Sequence, residues 1–144
     1  TWKFTTKKRD DIDAAAAAAK ALARVNEVRG LAGLKPVEMD AALSRGCQSH
    51  ARYLVLNLGK PAAAGLGAHN EDKTLPGATP EGAKAGPASV IDVAADPADA
   101  VDGWMKTFFH RIPILAPDLR RIGFGCAQNP DDAWVCVMDV QSGK

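Results

Sequence analysis

Residues 104–125 read WMKTFFHRIPILAPDLRRIGFG, and this stretch decides how the chain folds. Val101, Trp104, Met105 and Phe108 recur at i, i+3, i+4 and i+7, the pattern of an amphipathic helix docking one face on a sheet. That helix delivers His110 and Arg111 where periodic structure stops, so two polar heads emerge beside an apolar cluster, as in the wall of a cleft. Pro113 and Pro117 then deny regular hydrogen bonding, which makes residues 112–118 an irregular crossover before the strand that begins at RIGFG.

Toward the C-terminus, IGFGCA and WVCVMDV are strand-like runs separated by the turn-rich QNPDDA. A hairpin centred near Asp131 sets Cys126 opposite Cys136, and a close cross-strand pair there admits a disulfide. Toward the N-terminus, Asp96-Pro97 supplies a cap and a first-turn proline for the helix that ends near His110. Ser89-Val90-Ile91 reads as a short strand before it.

From Gly59 to Ala88 run thirty residues with six glycines, four prolines and neither helical nor strand period. A loop of that length in a compact domain is a functional candidate, and His69-Asn70-Glu71-Asp72 is its densest polar cluster. The plainer alternative is an exposed turn in which Asn70 and Asp72 bond their own backbone. Before the loop, Asp40 caps a helix expected to reach Leu58, with Leu43, Cys47, His50 or Ala51, Leu54 and Leu58 along its buried stripe. Cys47 is read there as a small hydrophobe and His50 as a packing residue. A first helix follows Asp13, with Ala18, Leu22, Val25 and Arg29 on one face and Gly30 as its stop. Residues 1–12 read as a polar tail or edge segment, in which alternating Trp2 and Phe4 hint at strand pairing. The order helix, helix, strand, helix, strand, strand predicts an α+β layered fold with a small antiparallel sheet, one domain over residues 13–144.

Eighteen basic and seventeen acidic side chains are scattered apart from Lys7-Lys8-Arg9, so no concentrated basic face exists and nucleic acid is not expected as a partner. No apolar run reaches the roughly 18–20 residues that span a bilayer, and no charged-then-apolar leader is visible. The abrupt opening at Thr1-Trp2 leads us to expect a mature or excised fragment.

The order of landmarks resembles the CAP superfamily, shared by cysteine-rich secretory proteins, antigen 5 and plant pathogenesis-related proteins, and in particular its bacterial SCP-like branch. The matching pieces are VNEVRGLAGLKPVEMDAALS, CQSHARYLVLN, the AHNED loop, WMKTFFHRIPIL, and RIGFG followed by AWVCVMDV, spanning about Ala17 to Val140. The resemblance implies a three-layer α-β-α sandwich, export to the periplasm, cell surface or medium, and a central cleft lined by two histidines and two glutamates. It also implies lipid, sterol or cell-envelope ligands, and in some members a divalent metal on the histidines. The first family histidine matches His69; the second, from the pattern W-x-x-S-x-x-H-R, matches His110 in WMKTFFHR. The glutamates do not carry over: AGPASVI stands in place of a G-E-N-like segment, and Thr107 stands where a glutamate or serine follows the tryptophan.

These residues define a candidate cleft of His69, Glu71, Ser89, Thr107 and His110. Zinc wants nitrogen, sulfur or carboxylate ligands, usually three from the protein at a catalytic site; His69 and His110 supply two, and Glu71 is a candidate third. Ser89 and Thr107 are the candidate nucleophilic hydroxyls beside His110, yet no G-x-S-x-G elbow occurs. Glu71 and Asp72, neighbours in one loop, do not form the opposed carboxylates of a glycosidase. The expectation is therefore a monomeric extracytoplasmic binding module that requires no cofactor and takes a small apolar or envelope-derived ligand between His69 and His110. A metal-dependent hydrolase using the same histidines, with zinc as its metal, and a structural domain of a larger surface protein are the alternatives.

Overall fold

A computed structural model describes the backbone of residues 2–144 and the side chains of residues 14–144. Helix α1 spans Trp2–Leu31, strand β1 Glu38–Met39, and helix α2 Ala41–Leu56. A short helix α3 covers Pro80–Ala85 and strand β2 Ser89–Ala94. Helices α4, Ala100–Met105, and α5, Phe108–Ile114, precede strands β3, Arg121–Gln128, and β4, Trp134–Asp139.

The sheet is four-stranded in the order β1-β3-β4-β2 and is mixed, because the two-residue β1 runs parallel to β3 whereas β3, β4 and β2 are antiparallel neighbours. The all-antiparallel expectation holds for the three long strands and fails only at that edge.

Alternation along the strands sends side chains to two separate layers of helix. Ile122, Phe124, Cys126, Cys136, Met138 and Val90 join Ala17, Ala21, Val25, Val101 and Trp104, from α1 and α4, in the larger core. Val135 and Val137 face the other way, onto Cys47, Ala51, Tyr53 and Leu54 of α2. Burial on both faces is why IGFGCA and WVCVMDV read as unbroken apolar runs. On the α2 side β3 carries Gly123 and Gly125, where a Cβ would come within 2.4 Å of Leu43 backbone and 2.3 Å of Gln48 backbone. The helix therefore rests directly on strand backbone.

Local chemistry explains most boundaries. Asp40 accepts the Leu43 N–H at 2.9 Å and starts α2, as its sequence position predicts. That helix stops at Leu56, two residues short of the expected Leu58, which is exposed. The Asn129 carboxamide oxygen accepts from the Asp131 and Ala133 amides and closes the β3-β4 turn, with Asp132 in the left-handed region at φ 63°.

Four expectations are corrected. The backbone is helical from Trp2, so residues 2–12 open α1 instead of forming a tail or edge strand; Thr1 and the side chains of Trp2 and Phe4 lie outside the described ones. The stretch 59–88 contains short 3-10 turns at Pro61–Ala63, Gly65–His69 and Gly86–Ala88 as well as α3, because prolines at helix starts and the Thr79 cap organise it locally. The helix through Trp104 breaks at Lys106–Thr107 and restarts with Thr107 extended at φ −114°, ψ 138°. That restart rotates Phe108 out of the stripe, so Val101 and Trp104 are buried while Phe108 is 59% exposed and Phe109 84%. The irregular crossover begins later than expected, since Pro113 sits inside α5.

A basic side chain stabilises the crossover. Arg29, fully buried on α1, donates to the carbonyls of Lys35, Ile114 and Ala116 at 2.8–2.9 Å and of Leu119 at 3.3 Å, tying α1 to the segment between α5 and β3. Burial lowers its pKa.

Candidate functional site

His69 closes the 3-10 turn Gly65–His69 and is half-buried. Its Nδ1 lies 3.1 Å from the carbonyl oxygen of Gly86. A carbonyl only accepts, so Nδ1 carries the hydrogen and the lone pair of the neutral ring sits on Nε2. His110, half-buried on α5, has its Nδ1 2.6 Å from the Thr107 hydroxyl, which also approaches the Trp104 carbonyl at 3.3 Å. If that hydroxyl donates to Trp104, the His110 ring donates from Nδ1 in turn and again leaves Nε2 as its lone-pair atom. Among the described residues, no hydrogen bond engages either Nε2.

The remaining candidates are placed differently. Glu71, expected beside the cleft, has a side chain only 1% exposed. Its Oε1 lies 2.9 Å from His50 Nδ1 and its Oε2 accepts the Thr79 amide at 2.9 Å, so both oxygens are committed to holding the loop on α2. Ser89 is buried at the start of β2, where its hydroxyl donates to the Ala85 carbonyl at 2.7 Å and faces Cys47. Neither group is free to serve as a third ligand or a nucleophile. Thr107 stays beside His110, but its contact is that of a residue at the start of α5 bracing the ring one turn on. Asp72 turns back on Thr74, accepting both its amide and its hydroxyl, and this local bonding lowers its pKa, as in the plainer reading of the loop.

His50 is the neighbour of the candidate site that sequence reasoning missed. It is fully buried, as a packing residue should be, yet its ring also meets Glu71 through Nδ1 and the Ala68 carbonyl through Nε2 at 2.7 Å, and stacks on Tyr53 at 5.9 Å. The Tyr53 hydroxyl in turn accepts the Asp72 amide at 2.9 Å. The signal was present as an apolar helix stripe interrupted by His50 and Tyr53 opposite a loop with an acidic cluster, but nothing in the spacing says which loop residue meets which ring.

The cysteines divide into two kinds. Cys47 is fully buried, and desolvation pushes its pKa up to about 12, which makes it inert. Cys126 and Cys136 pair in register as expected, and the facing thiols perturb each other, lowering the pKa of Cys126 and raising that of Cys136. The expected disulfide is not formed in this structure, in which all three cysteines are free.

The described residues contain no group of three or more His, Cys, Asp or Glu side chains arranged to hold a metal ion. With Glu71 withdrawn, the expected donor set is reduced to the imidazoles of His69 and His110. A resident catalytic zinc, which uses three protein ligands, does not fit it.

The model of the CAP family, described as the cysteine-rich secretory protein family, matches residues 22–138. No curated protein matches the chain. Among solved structures, an outer surface protein from Borrelia burgdorferi is 18% identical with a TM-score of 0.49, covering 81% of this chain and 85% of that one. An extracellular protein containing a SCP domain from Bacillus anthracis is 15% identical with a TM-score of 0.59. That match covers 88% of this chain but 41% of the Bacillus chain, so the likeness is one of domain fold. No helix among the described residues is long and apolar enough to cross a membrane.

Proposed function

Because the chain belongs to the cysteine-rich secretory protein family, we propose that it is an extracytoplasmic binding module whose ligand is held by His69 and His110. One observation carries the reading: each imidazole is braced through Nδ1, by a backbone carbonyl or by a neighbouring hydroxyl, while no protein group among the described residues engages its Nε2. A ring braced in this way leaves Nε2 for the ligand: at His69 that atom carries the lone pair, for a hydroxyl, an N–H or a cation, and at His110 it does so when the Thr107 hydroxyl donates to Trp104. A small envelope-derived ligand with an apolar body and a polar head matches such acceptors together with the exposed Phe108 and Phe109 beside His110.

In this reading the module works as a monomer, without a required cofactor, and Thr107 orients His110. The Cys126–Cys136 pair becomes a disulfide once the chain reaches an oxidising compartment. The second reading, a divalent cation shared by the two imidazoles, draws on the same free Nε2 atoms and describes a weak, exchangeable site. A metal-dependent hydrolase built on it would lack its third protein ligand.

A mass-spectrometric survey of small molecules that co-purify with the protein tests the first reading, and zinc calorimetry on the parent, His69→Ala and His110→Ala forms separates the two. A co-purifying ligand lost from both variants supports the shared site. Zinc binding abolished by either change supports the cation reading, and binding unaffected by both overturns the shared site. A further expectation follows from imidazole chemistry: any zinc affinity falls in acid, because a protonated imidazole has no lone pair to give a metal.

A further inference from the structure

We infer that buried His50 is a positioning residue for His69: it fixes the loop around His69 so that this ring is held as its Nδ1–H form with Nε2 turned outward. The inference rests on His69 being a ligand-facing group, and its test reads out independently of any ligand.

Three contacts around His69 converge on the one buried ring. Ala68, immediately before His69, gives its carbonyl to His50 Nε2 at 2.7 Å. Glu71, two residues after it, meets His50 Nδ1 at 2.9 Å. Gly86, whose carbonyl takes the His69 Nδ1 hydrogen, lies close against the same ring: a Cβ there would sit 2.9 Å from His50 Cε1 and 3.0 Å from Nε2, and 2.5 Å from the His69 carbonyl. The chain on both sides of His69 and the acceptor for its ring are thus seated on His50. Tyr53, stacked below, extends the support to the Asp72 amide.

The hydrogen bonding fixes what the ring of His50 must supply. The Ala68 carbonyl only accepts, so His50 Nε2 donates. Nδ1 then faces a carboxylate oxygen, and the contact requires one proton shared between the ring and Glu71. Glu71 uses its other oxygen on the Thr79 amide, which ties the start of α3 to the same unit. A phenyl ring at position 50 would fill the space and give neither bond. The loop would then lose its hold at Ala68 and Glu71, and Gly86 would no longer be seated where His69 finds its carbonyl.

The test is imidazole ¹⁵N spectroscopy at pH about 8.5, above the ~6.5 at which an ordinary imidazole titrates. The native protein is expected to show His69 with a protonated Nδ1 and a bare Nε2. In His50→Phe, with the fold checked by circular dichroism, the two His69 nitrogens are expected to move to averaged shifts, while His110, braced by Thr107, keeps its native spectrum. Glu71→Gln, whose amide oxygen can take the Thr79 N–H while its NH₂ donates to His50 Nδ1, keeps both bonds and is expected to leave the His69 spectrum native. A native His69 in the Nε2–H form overturns the inference without any variant. So does a folded His50→Phe protein whose His69 spectrum is unchanged. Where native protein binds zinc, His50→Phe is expected to weaken it by about 10–100-fold, the effect of losing a partner behind a ligand. A tautomer change in a protein that binds no zinc upholds the positioning role and removes the cation reading.

Discussion

Cys126 faces Cys136 across β3 and β4 at a position where the backbones do not hydrogen-bond. The Asn129 amide donates to the Ala133 carbonyl at 2.8 Å, and bonded and unbonded pairs alternate from there, so 126 and 136 form an unbonded pair. Such pairs bring Cα atoms to about 4.5 Å, inside the disulfide window of about 4.4–6.8 Å. Exposure to oxidised glutathione is expected to give a single Cys126–Cys136 bridge in non-reducing peptide maps, with Cys47 unmodified. Recovery of both as alkylatable thiols would remove the bridge.

Trp104 is 1% exposed, packs edge-on against Phe124 at 6.5 Å, and its Nε1 has no hydrogen-bond partner among the described residues. Trp104→Ala should cost roughly 3–5 kcal/mol in denaturant titration as a large-to-small core change. Trp104→Phe should cost much less, because it removes an unsatisfied donor along with the lost volume. Phe109→Ala, at an 84% exposed site, should stay within about 0.5 kcal/mol.

Replacing Arg29 by methionine leaves four carbonyls, those of Lys35, Ile114, Ala116 and Leu119, without their donor. At about 1–3 kcal/mol for each buried polar group left unpaired, partly relieved by water, a loss of at least about 3 kcal/mol is expected. Hydrogen exchange should then rise at residues 114–120 ahead of the rest of the chain. A loss below about 1 kcal/mol would mean that the crossover holds without Arg29.

Acid should act through Asp40. The Leu43 amide first, and Arg121 at 2.8 Å as well, hold its carboxyl below the usual range. A group whose folded pKa is depressed adds stability above its unfolded pKa of about 3.9 and loses it as pH falls through the folded value. Asp40→Asn keeps the cap but cannot titrate, so its stability should fall less steeply than the native protein's between pH about 4 and 2. Equal slopes in denaturant titrations across that window would contradict the assignment.

What was legible in the sequence was whatever short-range chemistry dictates. The Asp40 cap, the hairpin about Asp131 and the strand at Ser89 each follow from residues within a few positions, and each is found. The two-residue β1 was invisible because so short a segment carries no period. Phe108 was misread because its spacing fits the helical stripe, while the break at Lys106–Thr107 has no proline or glycine to announce it. The polar network failed for a different reason. Pairing Glu71 with His50 depends on how a thirty-residue loop returns to α2, and the residue types admit Glu71 as a ligand beside His69 equally well.

Gly123 and Gly125 give the molecule a long-range sensitivity that no contact at the histidines reveals. Because α2 lies on bare strand backbone, the height of His50 above the sheet is set by what β3 omits. One methyl group at Gly125, on a buried strand remote in sequence from the loop, would lift the helix at Gln48 and carry His50 with it two residues on. The loop's alignment would then drift while every one of its own residues stayed intact, so damage to the loop need not map to the loop's own sequence at all.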